Sequence, residues 1–345
     1  MAAFPAVRAE SAVGRKELLR QPDAWYASNE ARTIADNIVL HQSAPGGWTN
    51  WSNEGGMMQP PTPADAPNLV HASLDDGATT TQLKILARVL AAKPSPAPAR
   101  AARYRASFLR GFDYLLAAQY PNGGWPHRYP AEGYHAHITF NDDTTSNVIV
   151  LLRAAVAGEP VHAWLDAPRR QRAADAVNRG IACILRCQVV VDGKKTVWGA
   201  QHDAKTLAPA AARKFEPASL CGSESVGLVR LLMDNERPSP EVIAAVQAAV
   251  AWMQAVKLTG IRVERLETPA GKDARVIADP AAPPLWARFY EIGTNRPIFA
   301  GRDAVIKYSM AEIERERRGG YGWYTERPRA LLEQDYPRWA QRHLK

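Results

Sequence analysis

Three stretches of the chain echo one another: IVLHQSAPGGWTNW, LLAAQYPNGGWPHRY and ILRCQVVVDGKKTVWGAQHD each run from an apolar helix end through a Gln to a turn and a Trp. Gln42, Gln119 and Gln188 recur at intervals of about 70–80 residues, longer than the roughly 20–50 of solenoid repeats. A period of that length accommodates two or more helices that return to the same edge. Two readings stand: a true structural repeat, or Gly residues that independently end helices while Trp residues cover the core. On the first reading, helical hairpins repeat around an axis with their polar loops collected at one rim. That architecture is an α/α toroid, and its rim would converge on a groove suited to a long ligand.

The remaining apolar pattern has mostly the helical period. Leu83, Leu86 and Leu90 form one stripe, Phe108, Phe112, Leu115 and Leu116 another, and Ile243, Val246, Val250 and Met253 a third. Strand signals are few. VVVDGKKTVW places Asp192-Gly193 between β-branched runs and predicts a small hairpin, and IRVERLETPAGKDARVIADP predicts a second. The expected class is therefore all-α, with a few small β-hairpins in loops.

No run of eighteen apolar residues is present, so no membrane span is expected. The opening MAAFPAVRAE lacks the charged and apolar regions of a secretory leader. Cys183, Cys187 and Cys221 match no zinc spacing and read as core thiols. A net charge of +8 favours a polyanionic partner: nucleic acid, an anionic lipid surface or an acidic polysaccharide. The basic residues are scattered except at Arg315 to Arg318, where the run reads as a solvated helix end.

Four polar clusters interrupt the apolar pattern. LDDGATTTQ carries Asp75 and Asp76, and ITFNDDTTSN carries Asn141, Asp142 and Asp143. WGAQHDAKTLAPAAARKFEPASLCGSES carries His202, Asp203, Lys205, Arg213 and Glu216, and PPLWARFYEIGTNRPIFAGRDAVIKY carries Arg288, Arg296, Arg302 and Lys307. Asp followed by Thr before a helical stripe fits an N-cap. Capping needs one side chain per helix, however, and both acidic clusters carry two carboxylates. The surplus fits a hard cation with oxygen ligands, calcium before magnesium. The DDxxD pattern of prenyl-transfer enzymes fails at Thr79 and Ser146. His135, His137 and His202 lack zinc-ligand spacing and read as surface or core histidines. Serine-elbow, P-loop and dinucleotide signatures are absent, which leaves carboxylates, arginines and a metal to carry any chemistry.

Taken in order, NGGWPHRYP, ITFNDD, GAQHDAKTLAPAAARKFEPASLCGSES, PLWARFYEI and FAGRDAV resemble polysaccharide lyase family ten, the pectate lyases built on an (α/α)3 toroid. The likeness runs from about Asp36 to Tyr324 and implies a single catalytic domain over residues 1–345. It also implies polygalacturonate as substrate, with calcium bridging an aspartate and the substrate carboxylate while an arginine abstracts the C5 proton. Carried over by motif, Arg213 resembles the base and Asp75 the aspartate that meets calcium and substrate. Asp142 or Asp143 is similar to a second acidic residue near the metal. Arg288 and Arg302 resemble binders of substrate carboxylates, and Lys205 and Asn141 join them as candidate substrate contacts. Two departures are visible: Asp76 stands where the family usually shows Asn, and His127 where it shows Gln.

The resemblance implies a secreted or periplasmic monomer acting on an acidic polysaccharide, with neither nucleic acid nor membrane as partner. Two alternatives remain on the sequence alone. An inverting glycoside hydrolase would use paired carboxylates and make no unsaturated ends. A non-catalytic binder of acidic glycans would keep the cationic groove and survive loss of Arg213.

Overall fold

The computed structural model describes residues 15–49 and 59–344. The stretch read for a leader, and Asn50 and Trp51 of the first repeat, lie outside the described residues. The chain divides into two compact units. One comprises residues up to Ala136 together with Asp142–Gly180, and the other comprises His137–Asn141 with Ile181–Lys345.

Both units are built on helices, as the periodicity predicts. The first contains Asn29–Leu40, Thr80–Ala91, Pro98–Ala117 and Thr144–Val156, and the boundary falls within Ala167–Cys187. Ser225–Met233 and Pro240–Ala255 lead the second. No described helix is long and apolar enough to cross a membrane. Both predicted hairpins form: Val190–Val191 pairs with Lys194–Lys195, and Ile261–Thr268 pairs with Gly271–Ala278. Asp192 and Gly193 both take the left-handed conformation that such a two-residue turn requires.

The repeat is structural, and it works through one hydrogen bond. Each indole N–H points back to the carbonyl of the helix that precedes it: Trp48 to Ile38 at 2.7 Å, Trp125 to Leu115 at 2.9 Å and Trp198 to Ile184 at 2.7 Å. All three Trp side chains are fully buried, so the bond also satisfies a donor that would otherwise be costly to bury. The glutamines form the second half of the device. Gln42 Nε2 donates to Gly46 O and Ser107 O, Gln119 Nε2 to Gly123 O and Ala176 O, and Gln188 Nε2 to Thr196 O and Ala245 O. One amide thus ties each turn to the next long helix.

A fourth copy escaped the sequence pattern. Trp286 Nε1 donates to Met253 O at 2.7 Å, but the hairpin Ile261–Ala278 separates the helix end from its Trp.

The tryptophans need glycine opposite them. A Cβ on Gly111 would lie 2.6 Å from Trp48 Cζ3, and one on Gly180 would lie 2.7 Å from Trp125 Cζ3. Neither indole can yield, because its N–H is committed to a carbonyl. Gly180→Ala is therefore expected to lower stability by about 1–3 kcal/mol through overpacking, read from the urea midpoint at unchanged m-value. An unchanged midpoint would show that the Trp125 site has slack.

Candidate functional site

The backbone that holds the tryptophans also places the polar clusters. The residues two beyond Trp125, Trp198 and Trp286 each accept a bond from the residue that leads into a cluster: His127 O from Leu74 N, Ala200 O from Phe140 N and Arg288 O from Gly222 N. Asp75, Asn141 and Glu224 follow within two residues of those anchors.

In the first unit, Asp75 opens the short turn Asp75–Gly77, in which Asp76 is left-handed with φ 49°. The turn Asn141–Asp143 repeats this geometry, with Asp142 at φ 50° and Asp143 at φ 58°. Aspartate tolerates this region better than most residues. Asp143 stands at the N-cap of Thr144–Val156 and Thr79 at that of Thr80–Ala91, yet neither side chain makes a capping hydrogen bond.

Asp75 Oδ2 lies 2.9 Å from His127 Nε2, so one departure from the family pattern contacts the aspartate singled out by the resemblance. The His127 ring lies 4.7 Å from that of His135. Burial, with His127 and Arg128 close by, pushes His135 down to about 4 and keeps it neutral near pH 7.

The acidic turns offer hard oxygen donors of the kind calcium takes. Among the described residues, no three His, Cys, Asp or Glu side chains form a ready-made cation site. The donor type fits calcium, and a bound carboxylate or water would have to complete its shell. Asp75, Asp142 and Asp143 are the residues that would hold it.

The second unit brings together Arg213, Glu216, Arg288 and Asn141 with Glu224, Tyr321 and Arg327, which the sequence did not single out. Arg288 Nη2 donates to Asn141 Oδ1 at 2.9 Å and pairs with Glu224 Oε1 at 3.0 Å. Glu224 is only 2 % exposed, and Arg327 approaches its other oxygen at 3.6 Å. Two guanidinium groups thus share one buried carboxylate.

Arg213 sits in a tight turn closed by Glu216 N donating to Arg213 O. Its Nε and Nη2 grip Glu216 at 2.8 and 2.6 Å, the fork geometry that carboxylates favour, while half of the side chain remains exposed. Tyr321 OH donates to the same carboxylate at 2.7 Å. Burial pushes Glu216 up, but hydrogen bonds from Arg213 and Tyr321 and the Arg213 charge outweigh it and hold the carboxyl below its usual value. Burial, together with Glu216, raises Tyr321 and keeps the phenol neutral.

Arg302 is 63 % exposed and pairs with Glu316 at 2.8 Å, and Lys205 is exposed on a turn organised by Asp203. His202 is a core residue: Gly199 N donates to its Nε2, so its Nδ1–H donates to Leu207 O. The run Arg315 to Arg318 is not a solvated helix end. Arg318 forks onto Asp273 at 2.8 and 2.9 Å, Arg315 donates to Lys272 O, and Arg317 pairs with Glu316. The first two pairings tie the helix Arg315–Gly320 to the hairpin, and the third lies within the helix. The three cysteines are buried and free, with Cys183 and Cys187 Sγ 4.0 Å apart.

A family model described as pectic acid lyase matches residues 42–332. Two solved structures share the fold. A family 10 polysaccharide lyase from Cellvibrio cellulosa is 28 % identical with a TM-score of 0.74, the match covering 92 % of this chain and 94 % of that one. A mutant of a family 10 polysaccharide lyase from the same organism, in complex with trigalacturonic acid, is 27 % identical with a TM-score of 0.74 and coverages of 92 % and 95 %. No curated protein matches. These likenesses accord with the all-α, toroid-type class expected from the sequence.

Burial pushes His162 and His202 down to about 4 from an ordinary 6.5. The unfolded chain takes up these protons near pH 6.5, whereas the folded chain resists them until about pH 4. Stability is therefore fully present above pH 6.5 and is lost as pH falls toward 4, on the order of 3 kcal/mol for each fully buried imidazole. Melting temperatures recorded from pH 7.5 to 4.5 are expected to fall through this window. A flat profile would mean that neither imidazole is held neutral.

Proposed function

The chain belongs to the pectic acid lyase family, and from that premise we propose that it cleaves polygalacturonate by β-elimination, with Arg213 as general base. The observation that carries the proposal is that Arg213 and Arg288 both lie over one tyrosine ring, at 5.8 and 4.8 Å from the Tyr321 centroid. Two guanidinium groups held that close suit a ligand that presents a carboxylate beside a weakly acidic C–H.

Arg288, fixed from behind by Glu224 and Asn141, is oriented to grip the uronate carboxylate through paired N–H donors. Arg302 and Lys205 offer exposed cations to neighbouring uronates of an extended chain. Calcium, held through Asp75, Asp142 and Asp143, would supply positive charge to a uronate carboxylate of the polymer.

Arg213 removes the C5 proton. The C–H electrons become the C4–C5 double bond, the C4–O bond breaks, and the departing oxygen takes a proton from solvent. A guanidinium is protonated at ordinary pH, and here its protons are engaged by Glu216. The base role therefore requires that pair to open when substrate arrives, and activity is expected to rise toward alkaline pH. The protein is taken to act outside the cytoplasm, where such a polymer is met.

The test follows the ultraviolet absorbance of unsaturated uronate when purified protein is given polygalacturonate at alkaline pH. The expected result is a calcium-dependent rise, abolished by a chelator and lowered by at least about 100-fold in Arg213→Ala. A rise that Arg213→Ala leaves intact would remove Arg213 as base. Reducing ends released without absorbance would replace the lyase reading with hydrolysis.

A further inference from the structure

Tyr321 belongs to none of the motifs that carry the family likeness, yet its side chain touches both arginines expected to act on one galacturonate. Its backbone follows the helix Arg315–Gly320, which is pinned to the hairpin by Arg318 on Asp273 and Arg315 on Lys272 O. Gly319 packs so closely on Lys272 that a Cβ there would overlap its carbonyl. Trp323 Nε1 closes the segment by donating to Arg317 O at 2.9 Å. The ring itself is wedged among Phe215 at 5.2 Å, Phe289 at 6.3 Å and Trp323 at 5.0 Å, each centroid to centroid.

From this fixed seat Tyr321 makes two kinds of contact. Its ring carries Arg288 and Arg213, a placement that the electron-rich face of an aromatic ring favours. Its hydroxyl donates to Glu216, whose two oxygens also receive Nε, Nη2 and the backbone N–H of Arg213. Glu216 is buried, so when the Arg213 side chain swings away the phenol, with the Arg213 backbone N–H, holds the carboxylate in place. Like charges on the two guanidinium groups would otherwise drive them apart. The ring that both approach, with Glu216 on one guanidinium and Glu224 on the other, offsets that repulsion.

We propose that Tyr321 is a positioning residue that sets the separation of Arg213 and Arg288, with its hydroxyl holding Glu216 as the anchor from which Arg213 is released toward substrate. This rests on the lyase reading above. It goes beyond that reading because it assigns the spacing of base and carboxylate binder to one side chain. A misplacement of a reacting group by about 1 Å can cost about 100-fold in rate.

The test compares wild type with Tyr321→Phe and Tyr321→Leu on polygalacturonate with calcium, scored per folded molecule. Tyr321→Phe keeps the ring and loses the anchor bond, so kcat is expected to fall about 10- to 100-fold while KM stays within about twofold. Tyr321→Leu also removes the support for Arg288, so KM rises as well. A purely structural tyrosine would lower the melting temperature and leave both constants unchanged. Wild-type kcat in Tyr321→Phe overturns the proposal.

Should the leucine variant fail to fold, Glu216→Gln gives the second arm, with the same loss of kcat at nearly constant KM expected. Wild-type kcat there would also overturn it. Calorimetric binding of trigalacturonic acid separates this inference from the reaction itself. Weaker binding by Tyr321→Leu than by wild type supports the spacing role, and equal binding overturns it. Failure of wild type to form unsaturated product instead overturns the lyase reading.

Discussion

A buried indole N–H that must find an acceptor organises this protein. Four tryptophans answer that demand in the same way, two in each unit, by donating to a carbonyl of the helix behind them. A helix supplies unsatisfied carbonyls only in its last turn, so the bond marks where each helix ends and where the chain turns. Two residues beyond Trp125, Trp198 and Trp286, the backbone meets the start of a polar cluster through another hydrogen bond. Core packing and site construction are thus successive consequences of one local device. Glycines at 111 and 180 are required for the same reason, since the indoles have no room to retreat.

The cations of the second unit illustrate how such a framework uses charge. Arg213 and Arg288 are each countered by a buried carboxylate, and breaking such pairs leaves a charge with little water to solvate it. Their arrangement is therefore rigid until a ligand carboxylate can replace one partner. On the proposed reading an acidic sugar does this chemically, because it brings the same group that Glu216 and Glu224 already present. Exposed cations such as Arg302 and Lys205 lack that constraint, and on the proposed reading they take the looser task of holding neighbouring residues of a polymer.

Much of this was legible in the sequence because it is local. The Gln-to-Trp spacing revealed three copies of the repeat, Asp192-Gly193 announced its hairpin, and the period of the apolar residues specified helices. What the sequence hid is what contact through space creates. The copy at Trp286 was masked by the inserted hairpin, which stretches the interval between helix end and indole. Tyr321, Glu224 and Arg327 gain their meaning from partners that are distant in sequence, as in the pairing of Tyr321 with Glu216 and of Arg327 with Glu224. The basic run at Arg315 to Arg318 looked solvated because Asp273 lies 45 residues before Arg318 in the chain. The paired aspartates precede helices as caps do, and nothing in the sequence signals that Asp76, Asp142 and Asp143 take left-handed backbones.

Elimination and hydrolysis differ by one water, and that difference tests the central claim most directly. Mass spectrometry of the fragments released from trigalacturonic acid by the wild-type protein with calcium should yield products whose masses sum to that of the substrate. One of them should carry the unsaturated uronate. Fragments whose masses sum to that of the substrate plus one water would contradict the account, since no proton abstraction at C5 by Arg213 could produce them.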